Sequence, residues 1–170
     1  GLLLLPGGFS YGDHLASGKV LALQIQYRLK WNLAQFADRG GLVLGICNGF
    51  QALIRLGQFG RDLSITRNIH GKFINTWVRV TPQGSRCVFL RGLGTMELPV
   101  RHGEGRIVVE QGHRNEILSK FDRSGMSCLK YEKDVNGSEQ QLAGLCDPSG
   151  RIFGLMPHPV GFLFWCGHSE

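Results

Sequence analysis

Leu42-Val43-Leu44-Gly45-Ile46-Cys47-Asn48-Gly49-Phe50-Gln51 is the stretch that decides how this chain reads. Residues 42–46 carry no charge and make a short buried strand, and the segment from Asn48 to Leu56, closed by Gly57, has the spacing of a short helix. A strand that runs through Gly-x-Cys-x-Gly into a helix is the cysteine form of the nucleophile elbow. The nucleophile of such a turn sits in a strained backbone conformation, and glycines two residues to either side leave room for the bend. The Cys47 sulfur is then expected at the carboxyl end of the sheet and at a helix N-terminus, whose partial positive charge favours thiolate. The backbone N–H of Asn48 is placed to meet a developing oxyanion. A small buried cysteine in a tight turn is the structural alternative.

On the N-terminal side, Leu2–Leu5 reads as another buried strand, ending at Pro6-Gly7-Gly8, where two glycines let backbone N–H groups approach a substrate closely. Pro-Gly-Gly is also an ordinary turn. A helix is expected from Ser17 to Asp38, with Leu21, Ile25, Leu29 and Leu33 recurring every four residues, Ser17 as cap and Gly40-Gly41 as stop. Strand, helix, strand, helix predicts a parallel sheet covered by helices.

On the C-terminal side, Ile74, Thr76, Val78 and Val80 alternate with Asn75, Trp77 and Arg79, the period of a strand. Ile107–Val109 and Cys128–Tyr131 are weaker strand candidates. Leu142–Cys146 and Arg151–Met156 flank Asp147-Pro148-Ser149-Gly150, the composition of a type I turn, and predict a hairpin. His158 follows that hairpin between Pro157 and Pro159, whose rings restrict the backbone on both sides. If its strand neighbours the one ending at Cys47, base and nucleophile share a rim, where ligands bind in open α/β sheets. A histidine capping a strand in a proline turn is the alternative. Arg101-His102-Gly103-Glu104-Gly105-Arg106 reads as a loop, either solvated or part of a site.

Composition narrows the class. The chain has 170 residues, 42% apolar, a net charge of +6 and 25 glycines. That glycine share is about twice the usual ~7% and follows no period, so glycine serves backbone conformation at particular points. One domain spanning residues 1–170 is expected at this length. Five cysteines without a C-x-x-C pair fit a reducing cytoplasm and no zinc or disulfide framework. Scattered Lys and Arg give no support to nucleic-acid binding, and no apolar run is long enough for a membrane span.

Taken together, the motifs resemble the glutaminase (class I glutamine amidotransferase) subunit of phosphoribosylformylglycinamidine synthase. The resemblance runs through LLPGGFSYGDHLASG at Leu4–Gly18, LGICNGFQ at Leu44–Gln51, TRN at Thr66–Asn68, FLRGLG at Phe89–Gly94, LPVRHGEGR at Leu98–Arg106, NGS at Asn136–Ser138 and GLMPHP at Gly154–Pro159. It implies an α/β fold: a mostly parallel, flavodoxin-like open sheet with helices on both faces and added antiparallel strands. It also implies hydrolysis of glutamine to glutamate and ammonia for a partner synthetase of purine biosynthesis, which makes formylglycinamidine ribonucleotide, with a small bridging subunit as a further partner. By the same resemblance Cys47 would be the nucleophile and His158 its acid and base. Gly8 and Asn48 would donate to the oxyanion, and Gly7, Gln51, His102 and Gly103 would line the glutamine site. No metal or other cofactor is implied for this chain; ATP and Mg²⁺ belong to the partner.

Two departures from the family pattern stand out. The family has glutamate two residues after the histidine, where this chain has Val160, which cannot accept the imidazole N–H. In serine triads loss of the third member costs on the order of 10⁴ in turnover, whereas a cysteine, with its more acidic thiol, depends less on a full relay. Glu104, Glu170 or a backbone carbonyl could fill the role. The alternative reading is a glutaminase-shaped docking subunit impaired by Val160. Family members also carry a strand and helix before the Leu-Leu-Pro-Gly-Gly strand, a βα unit not found in this sequence; a chain lacking it is expected to expose apolar surface and to be poorly stable.

Overall fold

A computed structural model describes residues 1–8, 18–84 and 86–159. Its parallel part consists of β1 (Leu2–Leu5), β2 (Leu42–Ile46) and β9 (Ile152–Leu155), with Leu5 opposite Gly45 and Gly45 opposite Gly154. From β9 the sheet continues antiparallel through β8 (Leu142–Cys146), β7 (Leu129–Tyr131), β4 (Ile74–Pro82) and β5 (Met96–His102). The added antiparallel strands are therefore extensive, and the parallel trio is the part that carries the elbow. A second, two-stranded sheet pairs β3 (Leu63–Arg67) with β6 (Glu104–Val109). No helix among the described residues is long and apolar enough to cross a membrane.

Helix α3 (Asn48–Arg55) lies close against the parallel strands because glycines face it. A Cβ on Gly45 would come 2.6 Å from Leu53 Cδ1, one on Gly154 would strike the Phe50 ring, and one on Gly49 would strike the Leu5 carbonyl. Phe50 and Leu53 are completely buried in consequence, so their whole apolar area is withdrawn from water, worth about 1.5–3 kcal/mol per side chain.

The helix expected over 17–38 is broken. It comprises α1 (Lys19–Leu23), a π-helical turn at Gln24–Leu29 and α2 (Leu33–Asp38). Lys30 takes a left-handed conformation at φ 52°, and the Asn32 side chain accepts from the Gln35 N–H to cap α2. A π turn adds a residue to the helical repeat, so Ile25 and Leu33 face the core while Leu29 is exposed. Ser17, the expected cap, lies outside the described residues.

The segment read as a loop at 101–106 is instead a tight connection at Gly103 between β5 and β6. Helix α4 (Arg114–Ser124) was not expected, nor was β3. The hairpin of β8 and β9 forms as predicted around Asp147, whose carboxylate accepts from the N–H groups of Ser149, Arg151 and Ile152.

Candidate active site

Cys47 joins β2 to α3 at φ 49° and ψ −105°, a conformation that L-residues rarely take. Strain of this kind costs on the order of 1–3 kcal/mol and persists where the surroundings force it. Here the Cys47 N–H is held by the Leu155 carbonyl of β9 at 2.8 Å, and its carbonyl accepts from the Gln51 N–H of α3 at 3.0 Å. Because β2 and β9 are adjacent and parallel, the chain beyond β9 brings His158 to the same rim. Gly7 lies between the two side chains: a Cβ there would be 2.9 Å from His158 Cε1 and 3.3 Å from Cys47 Cβ. Nucleophile, histidine and the first strand end thus meet, and only a residue without a side chain fits among them.

The end of β5 closes the site from the other side. The Pro99 carbonyl accepts from the His158 N–H at 2.9 Å, the Arg101 carbonyl faces the Cys47 thiol at 3.9 Å, and the Glu104 carbonyl accepts from Gln51 Nε2 at 2.6 Å. Asn68, which follows β3, holds that connection in place. Its Nδ2 donates to the Lys72 and His102 carbonyls, its N–H to the Gly103 carbonyl, and its Oδ1 lies 3.1 Å from His102 Nδ1. With the amide nitrogen committed to two carbonyls, Oδ1 must face the ring, so His102 Nδ1 carries the proton and Nε2 presents a lone pair.

The electrostatics correct one expectation. Burial pushes the Cys47 thiol up to about 11, and the Asn48 N–H, which favours thiolate, offsets only part of it. The resting sulfur is therefore S–H, because a helix terminus contributes little against desolvation of a lone anion. His102 is pushed down to about 4 by burial and by His158; His158 is lowered by burial and by the Arg101 charge. Both rings are neutral near pH 7.

Four buried polar atoms beside the elbow have no hydrogen-bond partner among the described residues: Gln51 Oε1, His102 Nε2, His158 Nε2 and Tyr131 OH. Burial and the Cys47 charge raise the phenol of Tyr131 well above its ordinary value. Each orphaned group costs about 1–3 kcal/mol, and four of them near one cysteine offer polar atoms to a substrate.

The remaining expected site residues are placed less centrally. Asn48 spends its side-chain oxygen on the Gly18 N–H at 2.6 Å, leaving its backbone N–H as the group turned to the sulfur. Gly103 gives its carbonyl to Asn68, and a Cβ on it would meet only Phe73 at 3.8 Å. Gly8 has φ 114° and open space around it. Val160 and Glu170 lie outside the described residues.

Comparison with known proteins follows the same lines. Residues 1–169 match the family model of the CobB/CobQ-like glutamine amidotransferase domain. The phosphoribosylformylglycinamidine synthase subunit PurQ of Dehalococcoides mccartyi is 38% identical over 180 residues, covering 99% of this chain and 70% of that protein. The PurQ subunit of Thermotoga maritima is 41% identical over 161 residues, covering 93% and 68%. The chain belongs to the PurQ family of glutamine amidotransferases. The solved structure of PurLQS from Thermotoga maritima superposes with a TM-score of 0.73 at 38% identity, over 93% of this chain and 68% of that one. A more distant glutamine amidotransferase of the same organism, at 22% identity and a TM-score of 0.56, shares the fold.

Within this family site, sequence reasoning passed over Asn68 and Tyr131. Asn68 stood in a quoted motif, but its role depends on reaching across to His102, 34 positions away. Tyr131 ends a three-residue strand separated from β2 by β9 and β8, and its electrostatic link to Cys47 spans them.

Proposed function

We propose that this chain hydrolyses glutamine to glutamate and ammonia through a thioester on Cys47, delivering the ammonia to a synthetase subunit that makes formylglycinamidine ribonucleotide in purine biosynthesis. The observation that carries the reading is the strained Cys47 at φ 49°, sharing the space at Gly7 with His158. The named activity of the PurQ relatives and the PurLQS assembly support the synthetase, and a small bridging subunit, as partners. The reading assigns no cofactor to this chain and places ATP and Mg²⁺ on the synthetase. Its setting is the cytoplasm, in keeping with described cysteines that form no disulfide.

The chemistry starts from two neutral groups. As the glutamine side-chain amide enters, His158 accepts the Cys47 proton through its unpartnered Nε2 and the sulfur attacks the amide carbon. Negative charge moves to the amide oxygen, where the N–H groups of Asn48 and Gly8 receive it. His158 returns the proton to the nitrogen, ammonia leaves, and the same ring draws a proton from the water that opens the thioester. A thiol held at about 11 stays protonated until this sequence begins, which suits a nucleophile that must not react before its substrate is seated. The lone pair on His102 Nε2 suits the ammonium of glutamine; Gln51 Oε1 is a second acceptor, and Gly7 and Gly103 leave room for the chain. The docking-subunit alternative gains no support from residues it would be free to lose, since Cys47, His158, Gln51 and His102 all remain at the elbow.

The test is glutamate release in the presence of the synthetase by the unaltered chain, Cys47→Ala and Val160→Glu. Release by the unaltered chain and none by Cys47→Ala is expected. Release from Val160→Glu alone would overturn the reading in favour of an impaired docking subunit.

A further inference from the structure

Three cysteines that the glutaminase chemistry does not use converge at the opposite end of the sheet. Cys146 closes β8 opposite Phe153, at the amino end of β9, whereas Cys47 and His158 lie beyond the carboxyl ends of β2 and β9. Cys128 precedes β7, and Cys87 precedes a short 3-10 turn at Val88–Leu90. Their sulfurs all lie within 4.8 Å of one another, and each residue is at most 1% exposed.

The convergence is held by backbone, not by chance rotamers. The N–H groups of Cys128 and Cys146 both donate to the Met126 carbonyl, at 2.8 and 3.1 Å. The Cys128 carbonyl accepts from the Gln83 N–H, and the Val88 N–H donates to the Gly150 carbonyl in the β8–β9 turn, fixing the segment that carries Cys87. Gly150 sits so close to the Arg86 carbonyl that a side chain there would collide with it. The Cys146 thiol donates to the Gly125 carbonyl, and the N–H groups of Phe89 and Leu90 face the Cys87 sulfur. The cluster is therefore a set of three convergent soft donors.

We propose that Cys87, Cys128 and Cys146 bind one soft d10 metal ion, with copper(I) in trigonal coordination as the form they fit best. Metal–sulfur bonds of about 2.3 Å around a trigonal centre separate the sulfurs by about 4 Å, inside the span that the three already occupy. Thiolates select copper(I) and zinc among first-row ions. Zinc takes four ligands, and among the described residues no fourth His, Cys, Asp or Glu joins the three, while the nearby Gly125 carbonyl is engaged by Cys146 Sγ at 3.4 Å. On binding, three sulfur–copper bonds replace the ion's acetonitrile ligands, the thiol protons leave to solvent, and nothing is oxidised or reduced. The ion would tie the Met126–Leu129 segment, the β8–β9 turn and the Cys87 turn to one point, so its binding energy adds to folding stability.

The experiment is an anaerobic titration of the reduced 170-residue chain with copper(I), supplied as its acetonitrile complex against a competing chelator. One ion per chain is expected, with three sulfurs per copper by X-ray absorption. Peptide-resolved alkylation is expected to show Cys87, Cys128 and Cys146 protected in the loaded protein while Cys47 and Cys166 gain no protection. Cys128→Ser should weaken retention by at least the ~10–100-fold that even outer-shell changes cost. The absorption and alkylation readouts use the unaltered chain, so a variant that fails to fold leaves the test intact. Retention of no copper, copper held through Cys47 or Cys166, a cross-linked cysteine pair in place of a bound ion, or unweakened binding by folded Cys128→Ser would each overturn the proposal.

Discussion

Cys47 and Cys87 occupy similar local positions and behave in opposite ways. Each precedes a helical turn, and each sulfur meets backbone N–H groups of the residues that follow it. Yet the Cys47 thiol is pushed up to about 11, while Cys87 is drawn toward thiolate. The difference lies in the neighbours. Cys47 is buried with one N–H donor, whereas Cys87 lies among two further thiols and two N–H groups. A helix N-terminus alone does not make a thiolate; the number of donors set against desolvation decides. The two cysteines accordingly suit different tasks: a nucleophile released only when substrate and base are present, and a permanently ready donor.

The comparison can be broken first by mutation. Cys47→Ser in complex with the synthetase should reduce glutamate release on the order of 10⁴-fold or more, as loss of a nucleophile does in comparable enzymes, while Cys87→Ser should leave turnover near that of the unaltered chain. Similar losses from both would mean that the two sites are not separate.

A second handle is pH. His102 titrates at about 4 in the folded chain against an ordinary 6.5. Between those values the unfolded chain binds more protons, so stability rises with pH through the window. The contribution is complete above pH 6.5 and lost as pH falls toward 4, on the order of 3 kcal/mol in all. His158 is shifted in the same direction. Denaturant melts across this range should flatten in His102→Gln; an unchanged slope would show that the buried ring is not the source.

Thiol reactivity sharpens the contrast further. A thiol at about 11 rather than 9.0 carries about 100-fold less thiolate at neutral pH, so alkylation of Cys47 without glutamine should be correspondingly slow and should climb steeply into alkaline pH. A plateau below pH 9 would contradict the burial argument. The smallest expected effect concerns the frame that holds the elbow: Gly49→Ala would drive a methyl into the Leu5 carbonyl and should lower stability by about 1–3 kcal/mol, as overpacking does.

The parts of this molecule legible in the sequence are those decided locally. The run Leu42–Ile46, the glycines around Cys47 and the Asp-Pro-Ser-Gly turn each carry their reason within a few residues, and β2, the elbow and the β8–β9 hairpin appear as read. The helix at 17–38 was misread because four-residue spacing cannot see the left-handed turn at Lys30 or the cap at Asn32. Strand β5 was hidden by Pro99, which interrupts an otherwise regular alternation of Met96, Leu98, Val100 and His102; a proline is tolerated there because β5 is an edge strand. Helix α4 buries only Ile117, Leu118 and Phe121 on a largely charged surface, too narrow a stripe to stand out. Of the site, Cys47, His158 and Gln51 could be found from motifs. Asn68 and Tyr131 could not, because they reach the elbow from distant strands, and the thiol trio has no spacing signature at all.

The account rests on Cys47 as the residue that carries the acyl group. Its most direct test is rapid acid quench of the chain turning over glutamine with its synthetase, followed by mass spectrometry of the cysteine-containing peptides. A glutamyl adduct on the Cys47 peptide, absent from Cys47→Ala and from the peptides of Cys87, Cys128 and Cys146, is the predicted result. Continued glutamate release by Cys47→Ala, or an adduct on another cysteine, would contradict it.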